Sequence, residues 1–131
     1  MTELTKAEEQ VMHPLWQLGN ATVKQIIEQL PEPSPAYNTI STIVRILEKK
    51  GFVDHISEGK GHVYFPLISK QEYTRKFMKR FMKNYFEDSF KNLVSFFAKN
   101  DRMDLEEFDD LVAEVRKELE KNKNKEQWLS M

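Results

Sequence analysis

The sequence predicts a mainly α fold with one small β-hairpin: a winged helix-turn-helix head followed by a C-terminal helical dimerisation region. Three observations predict it. Three short amphipathic stretches fill residues 5–49, and two β-prone runs then flank Glu58-Gly59-Lys60-Gly61. Beyond Ser69 the composition shifts to phenylalanine, methionine and lysine. The expected boundaries are 1–68 for the head, 69–122 for the helical region and 123–131 for a polar tail without fixed structure.

The first helix is announced by Thr5-Lys6-Ala7-Glu8, a capping box in which Thr5 bonds the N3 amide and Glu8 reaches back to the cap. It should bury Val11, Met12, Leu15 and Trp16 and stop at Gly19-Asn20, with Pro14 kinking or loosening it. A second box, Thr22 to Gln25, opens a short helix with Val23, Ile26, Ile27 and Leu30 on one face. Pro31, Pro33 and Pro35 enforce an extended turn. Ser34 is expected to cap the third helix, with Pro35 at its first position and Gly51 closing it in the left-handed conformation.

Along that third helix Ile40, Ile43, Val44 and Leu47 form the buried stripe, and at about 100° per residue Asn38, Thr42, Arg45 and Lys49 lie opposite, with Ser41 beside them. Two small polar groups followed by two cations suit a DNA major groove. Arg45 is the best candidate for a bidentate guanine contact, Asn38 or Thr42 for an adenine or a thymine methyl, and Lys49 for phosphate. Lys60, at the hairpin tip, stands where a wing would meet a phosphate or a minor groove. A solvated helix face is the plain alternative, and a winged helix serving as a protein–protein adaptor is the functional one. Arg45 and Lys49 argue against the adaptor, which would present apolar or acidic groups.

Phe77, Phe81 and Tyr85 repeat every four residues with Met78, Met82 and Phe86 alongside, and Lys76, Lys79, Arg80 and Lys83 oppose them. Phe90, Leu93, Val94 and Phe97 make a further stripe. Asp104 with Glu107 offers a third box, stapled by Met103 and Phe108, ahead of a helix burying Phe108, Leu111, Val112, Val115 and Leu119. Such a wide apolar surface fits burial against a second chain, with ordinary core and a ligand pocket among the methionines as alternatives. The basic face is a solvated surface or one lying over the DNA backbone.

Net charge is −1, divided unevenly: residues 1–66 carry 6 Lys+Arg against 8 Asp+Glu, residues 67–99 carry 8 against 3, and residues 100–131 carry 6 against 10. A mildly acidic head must bind DNA through a few well-placed cations and through two copies. There is no cysteine, which excludes disulfides and thiolate metal sites and fits a reducing, cytoplasmic compartment. No apolar run approaches about 18 residues, so neither signal peptide nor membrane span is expected. His55 and His62 are possible cross-strand neighbours, but two donors are too few, and neither metal nor cofactor is expected. No phosphate loop and no nucleophile–base set points to an enzyme.

Assembled, these residues resemble the penicillinase-repressor (BlaI/MecI) family of bacterial transcriptional regulators. The resemblance spans roughly residues 3–120 and is carried by LTKAEEQVMHPLW, NTISTIVRILEKKGFVDH and EGKGHVYFPLI. It implies a homodimeric repressor on a pseudo-palindromic double-stranded operator, with Thr39, Ser41, Thr42 and Arg45 on the recognition surface and Lys60 with His62 on the wing. It also implies a dimer interface through the C-terminal helices, here Phe77, Met78, Phe81, Met82, Tyr85, Phe90, Leu93, Phe97, Phe108 and Leu111. The family commonly has a basic residue where Ser41 stands and a small polar one where Arg45 stands, which implies an altered operator. Members governed by a membrane sensor-protease are cut at an Asn-Phe bond; Phe96-Phe97 stands there, so the Asn is missing. The cysteine cluster of the copper-responsive branch is missing as well.

Overall fold

A computed structural model describes residues 2–129, with side chains as far as residue 124. Eight elements follow in order: α1 (Lys6–Leu18), α2 (Val23–Glu28), α3 (Tyr37–Lys49), β1 (Val53–Glu58), β2 (Gly61–Pro66), α4 (Lys70–Phe86), α5 (Phe90–Asn100) and α6 (Leu105–Leu129). They fall into two units, residues 1–78 and 79–131, with α4 running through the division.

In the first unit both N-terminal capping boxes form as the sequence predicts. Thr5 and Thr22 accept from the N3 amides of Glu8 and Gln25, whose side chains accept in return from the cap amides. Helices α1, α2 and α3 converge on Val11, Met12, Leu15, Ile26, Val44 and Leu47, all fully buried. Trp16 is half-buried and donates its Nε1–H to the Ile68 carbonyl at 2.9 Å. Helix α1 runs unbroken from Lys6 to Leu18 through a buried Pro14, so the kink or loosening expected there does not break it. Proline removes one amide donor, and the flanking boxed turn and buried stripe are enough to carry the helix past it.

The start of α3 differs from expectation. Its N-cap is Ala36, without a side-chain bond, and Tyr37 is the first helical residue. Ser34 is occupied elsewhere: its amide and hydroxyl both donate to the Glu32 carboxylate, at 3.0 and 3.1 Å. Pro35 also biases Ser34 toward extended backbone, so the helix begins two residues late. The other end is as expected. Gly51 has φ +85° just past the C-cap Lys50, and two bonds, Phe52 N–H to Leu47 O (3.0 Å) and Gly51 N–H to Glu48 O (3.1 Å), complete a Schellman turn.

Strands β1 and β2 pair antiparallel from Val53↔Pro66 to Glu58↔Gly61, around the two-residue loop Gly59-Lys60. Gly59 takes φ +63°, as a primed hairpin turn requires at its first position. Tyr64 also pairs with Ala21, exchanging bonds of 2.9 and 2.8 Å, so β2 is flanked on both sides at its base.

The first turns of α4 belong to the head, ten residues past the expected boundary. Tyr73 is in the buried core, its hydroxyl accepts from the Leu4 amide at 3.0 Å, and Phe77 packs against the same core.

The second unit takes the rest of α4 with α5 and α6. Glu87 and Asp88 both adopt positive φ, and Ser89 then caps α5 by accepting from the Asn92 amide at 3.1 Å. Asp104 caps α6, accepting from Glu107 N–H at 2.8 Å. That helix continues to Leu129, so residues 123–129 of the stretch expected as an unstructured tail are helical, and Ser130 and Met131 lie outside the described residues. Its Lys, Glu, Gln and Leu content favours helix even without a packing partner.

Candidate nucleic-acid interface

Helix α3 is held by its inner face, and this fixes its outer face. Ile40, Val44 and Leu47 are buried and Ile43 is half-buried. Asn38, Thr39, Thr42, Arg45 and Lys49 are exposed, and Ser41 is half-buried at the margin. The helix shapes its own polar row. Thr42 donates its hydroxyl to the Asn38 carbonyl at 2.8 Å, and Arg45 donates Nε–H to the Ser41 carbonyl at 3.3 Å. The second bond lays the guanidinium along the helix with the two amino groups at its tip available for planar, bidentate recognition. Lys60 and His62 are exposed at the tip and on the second strand of the wing.

One exposed aromatic escaped the sequence reading. Tyr37 is 60% exposed at the first position of α3. Its spacing from Ile40, Val44 and Leu47 continues the apolar stripe, so periodicity alone would bury it; at the first turn the stripe has run past the core.

Four of the head's nine acids, Glu8, Glu32, Glu48 and Asp54, are engaged by neighbours. Glu8, buried within α1, receives Lys50 Nζ at 2.8 and 3.0 Å on its two carboxylate oxygens, together with the Thr5 amide. Burial pushes its carboxyl up, but the bonds from Lys50 and Thr5 outweigh this and hold it below the ordinary range. Glu48 contacts His55 Nδ1, and Asp54 accepts from the His55 amide at 2.8 Å. Tyr64 is buried beside them with its ring 5.5 Å from that of His55. Burial raises its phenol above the ordinary range and the Glu48 charge adds to this, against a smaller opposing pull from Arg45. With its boundary at residue 78, the unit carries nine Lys+Arg and nine Asp+Glu, so it is neutral rather than acidic.

Of the residues expected at a dimer interface, Phe77 lies against the head core and Met78 is half-buried in the same unit. In the second unit Met82 is buried, and Phe81, Leu93 and Phe108 are half-buried. Tyr85 (72%), Phe90 (73%), Phe97 (53%) and Leu111 (47%) are exposed. Phe81 packs on Tyr85 and Phe86, and Phe86 on Phe96, so part of the aromatic set is a local cluster.

A tri-helical core, an outward polar face on its third helix and a two-stranded wing define a winged helix-turn-helix protein of the DNA-binding class. The sequence comparisons then place it. The chain belongs to the penicillinase repressor family, whose model matches residues 4–121. Members of this family are transcriptional repressors and not enzymes. The penicillinase repressor of Bacillus licheniformis is 28% identical over 125 residues, covering 95% of this chain and 96% of that protein. The methicillin resistance regulatory protein MecI of Staphylococcus aureus (strain N315) is 28% identical over 110 residues, covering 83% and 89%. Among solved structures, the DNA-binding domain of the repressor BlaI shares 32% identity over 54% of this chain and 88% of its own, with a TM-score of 0.48. The monomeric form of Bacillus licheniformis BlaI in complex with the blaP half-operator shares 32% identity over 55% and 89%, with a TM-score of 0.46. Among the described residues, no helix is long and apolar enough to cross a membrane.

Proposed function

We propose that this chain is a cytoplasmic repressor that binds a pseudo-palindromic operator as a homodimer. The outward row of α3 carries the reading: Arg45 reads a guanine, Asn38, Thr39, Ser41 and Thr42 contact neighbouring bases, and Lys49, Lys60 and His62 hold the backbone. The exposed cations and small polar groups on a helix anchored by its opposite face support it. Two such helices enter successive major grooves about 34–36 Å apart, and the bound dimer excludes polymerase. The apolar surface of Tyr85, Phe90, Phe97 and Leu111 supports burial against a second copy, with Phe81, Met82, Leu93 and Phe108 behind it. Release by a membrane sensor-protease would need a bond other than Phe96-Phe97, which lies inside α5 and lacks the Asn. The penicillinase repressor of Bacillus licheniformis, matched over 95% of this chain, supports the repressor reading.

Fluorescence-anisotropy titration against duplex from upstream of the protein's own gene, with a scrambled duplex as control, tests this. Two protomers per duplex, sequence preference and a steep salt slope are expected. Arg45→Ala should lower the preference by about 1–3 kcal/mol. Uniform weakening on both duplexes would make Arg45 a phosphate contact. Equal, weak binding by the parent protein to all duplexes in a genome-fragment selection would favour the adaptor reading.

A further inference from the structure

Two histidines on the wing are too few to hold a metal, but folding brings further donors to them. Glu48, next to last in α3, meets the base of β1, where its Oε1 contacts His55 Nδ1. Asp54 turns its carboxylate back so that Oδ1 accepts from the His55 amide at 2.8 Å, which leaves Oδ2 for another partner. One donor atom from each of Glu48, Asp54 and His55 lies within 4.8 Å of the other two. The His62 ring packs edge-on to that of His55, with centroids 4.4 Å apart. Glu48 and His55 side chains are each 31% exposed and Asp54 is exposed, so a hydrated ion has access.

We propose that Glu48, Asp54 and His55 form a binding site for a divalent transition cation of the Zn²⁺ type. Two carboxylates and one imidazole are a mixed O/N donor set that suits Zn²⁺, whereas Mg²⁺ and Ca²⁺ prefer oxygen alone. Zn–donor bonds of about 2.0–2.1 Å set tetrahedral donors about 3.4 Å apart. The observed separations close to that by rotation of the Glu48 and Asp54 side chains. Without the ion, Glu48 and His55 satisfy each other as a hydrogen-bonded pair. With it, the cation inserts between them, His55 binds through Nδ1 as the neutral Nε2–H tautomer, and a fourth position is left for water. The ion thus joins the last turn of α3 to β1, and it stabilises the folded chain because the unfolded chain has no such site. This site stands independently of the DNA reading.

Calorimetric titration of the full, tag-free chain with Zn²⁺ tests it, with thermal unfolding as a second readout. One ion per chain and a higher Tm are expected. His55→Gln should abolish both, and Glu48→Gln should weaken binding by at least about tenfold. His13→Gln, which removes an exposed histidine from α1, should leave binding unchanged. Circular dichroism establishes that each variant is folded, and Glu48→Gln, nearly isosteric, reads the site if His55→Gln does not fold. Absence of both heat and Tm shift in the parent chain overturns the proposal, as does binding that Glu48→Gln leaves unweakened or that falls with His13→Gln.

Discussion

The two units of this chain use apolar residues in opposite ways. Residues 1–78 enclose theirs: eight large side chains, from Phe52 and Met12 to Val53, are fully buried. Residues 79–131 display theirs: of their hydrophobic side chains among the described residues, Met82 alone counts as buried, while Phe90, Leu105 and Leu119 are each more than 60% exposed. The first is a core in its own right. The second has the amphipathic stripes of a core without its second half, and exposure on that scale fits the proposed burial against a second copy.

The largest effects should separate the units. Leu47→Ala should cost about 2–5 kcal/mol in urea denaturation, since Leu47 is wholly enclosed. Leu111→Ala should cost far less in a dilute, monomeric sample and should instead weaken self-association. Equal losses at the two positions would break the contrast. Phe97→Glu, at a half-exposed position, should shift sedimentation from dimer to monomer without lowering head stability. A persistent dimer would move the interface off α5.

A subtler loss is expected inside the head. Glu8→Gln should destabilise by about 1–3 kcal/mol by leaving Lys50 without its carboxylate. The pH dependence sharpens this. Glu8 titrates below the ordinary carboxylate range when folded, so folding favours its charged form. That stabilisation is complete above the unfolded-chain range and is lost as pH falls through the folded value. The Gln variant should therefore show a shallower loss of stability on the acid side. The smallest change, Gly51→Ala, should cost about 1–2 kcal/mol, from backbone conformation alone, because no atom lies within 4 Å of the added methyl.

Much of the head was legible because its signals are local. Both N-terminal capping boxes, the apolar stripe of α3, Gly51 and the glycine hairpin each lie within a few neighbouring residues. What escaped depends on distant partners. Nothing near Tyr73 announces a bond to Leu4, 69 positions away, so the sequence alone places all of α4 in the helical region. Nothing near Ala21 announces pairing with Tyr64. Glu48 and Asp54 are close to His55 in sequence, yet only the turn at Gly51 brings the helix end onto the strand. Ser34 failed for a local reason that motif reading overlooks: Glu32, two residues earlier, competes for its hydroxyl. The exposure of Asn38, Thr42, Arg45 and Lys49 follows from periodicity, whereas that of Tyr37 does not, because periodicity says nothing about where a core ends.

The pairing of Tyr64 with Ala21 has a consequence for how the wing can vary. A free two-stranded hairpin can slip by one residue, and each slip turns every side chain to the other face. Tyr64 is bonded on one side to the α1–α2 loop and lies opposite His55 on the other, so its register is pinned from two directions. The base of the wing is therefore locked to the head while its tip is not. Residues added or removed in matched pairs around Gly59-Lys60 would lengthen or shorten the reach of the wing without disturbing the core. Reach becomes a property that selection can adjust separately from stability.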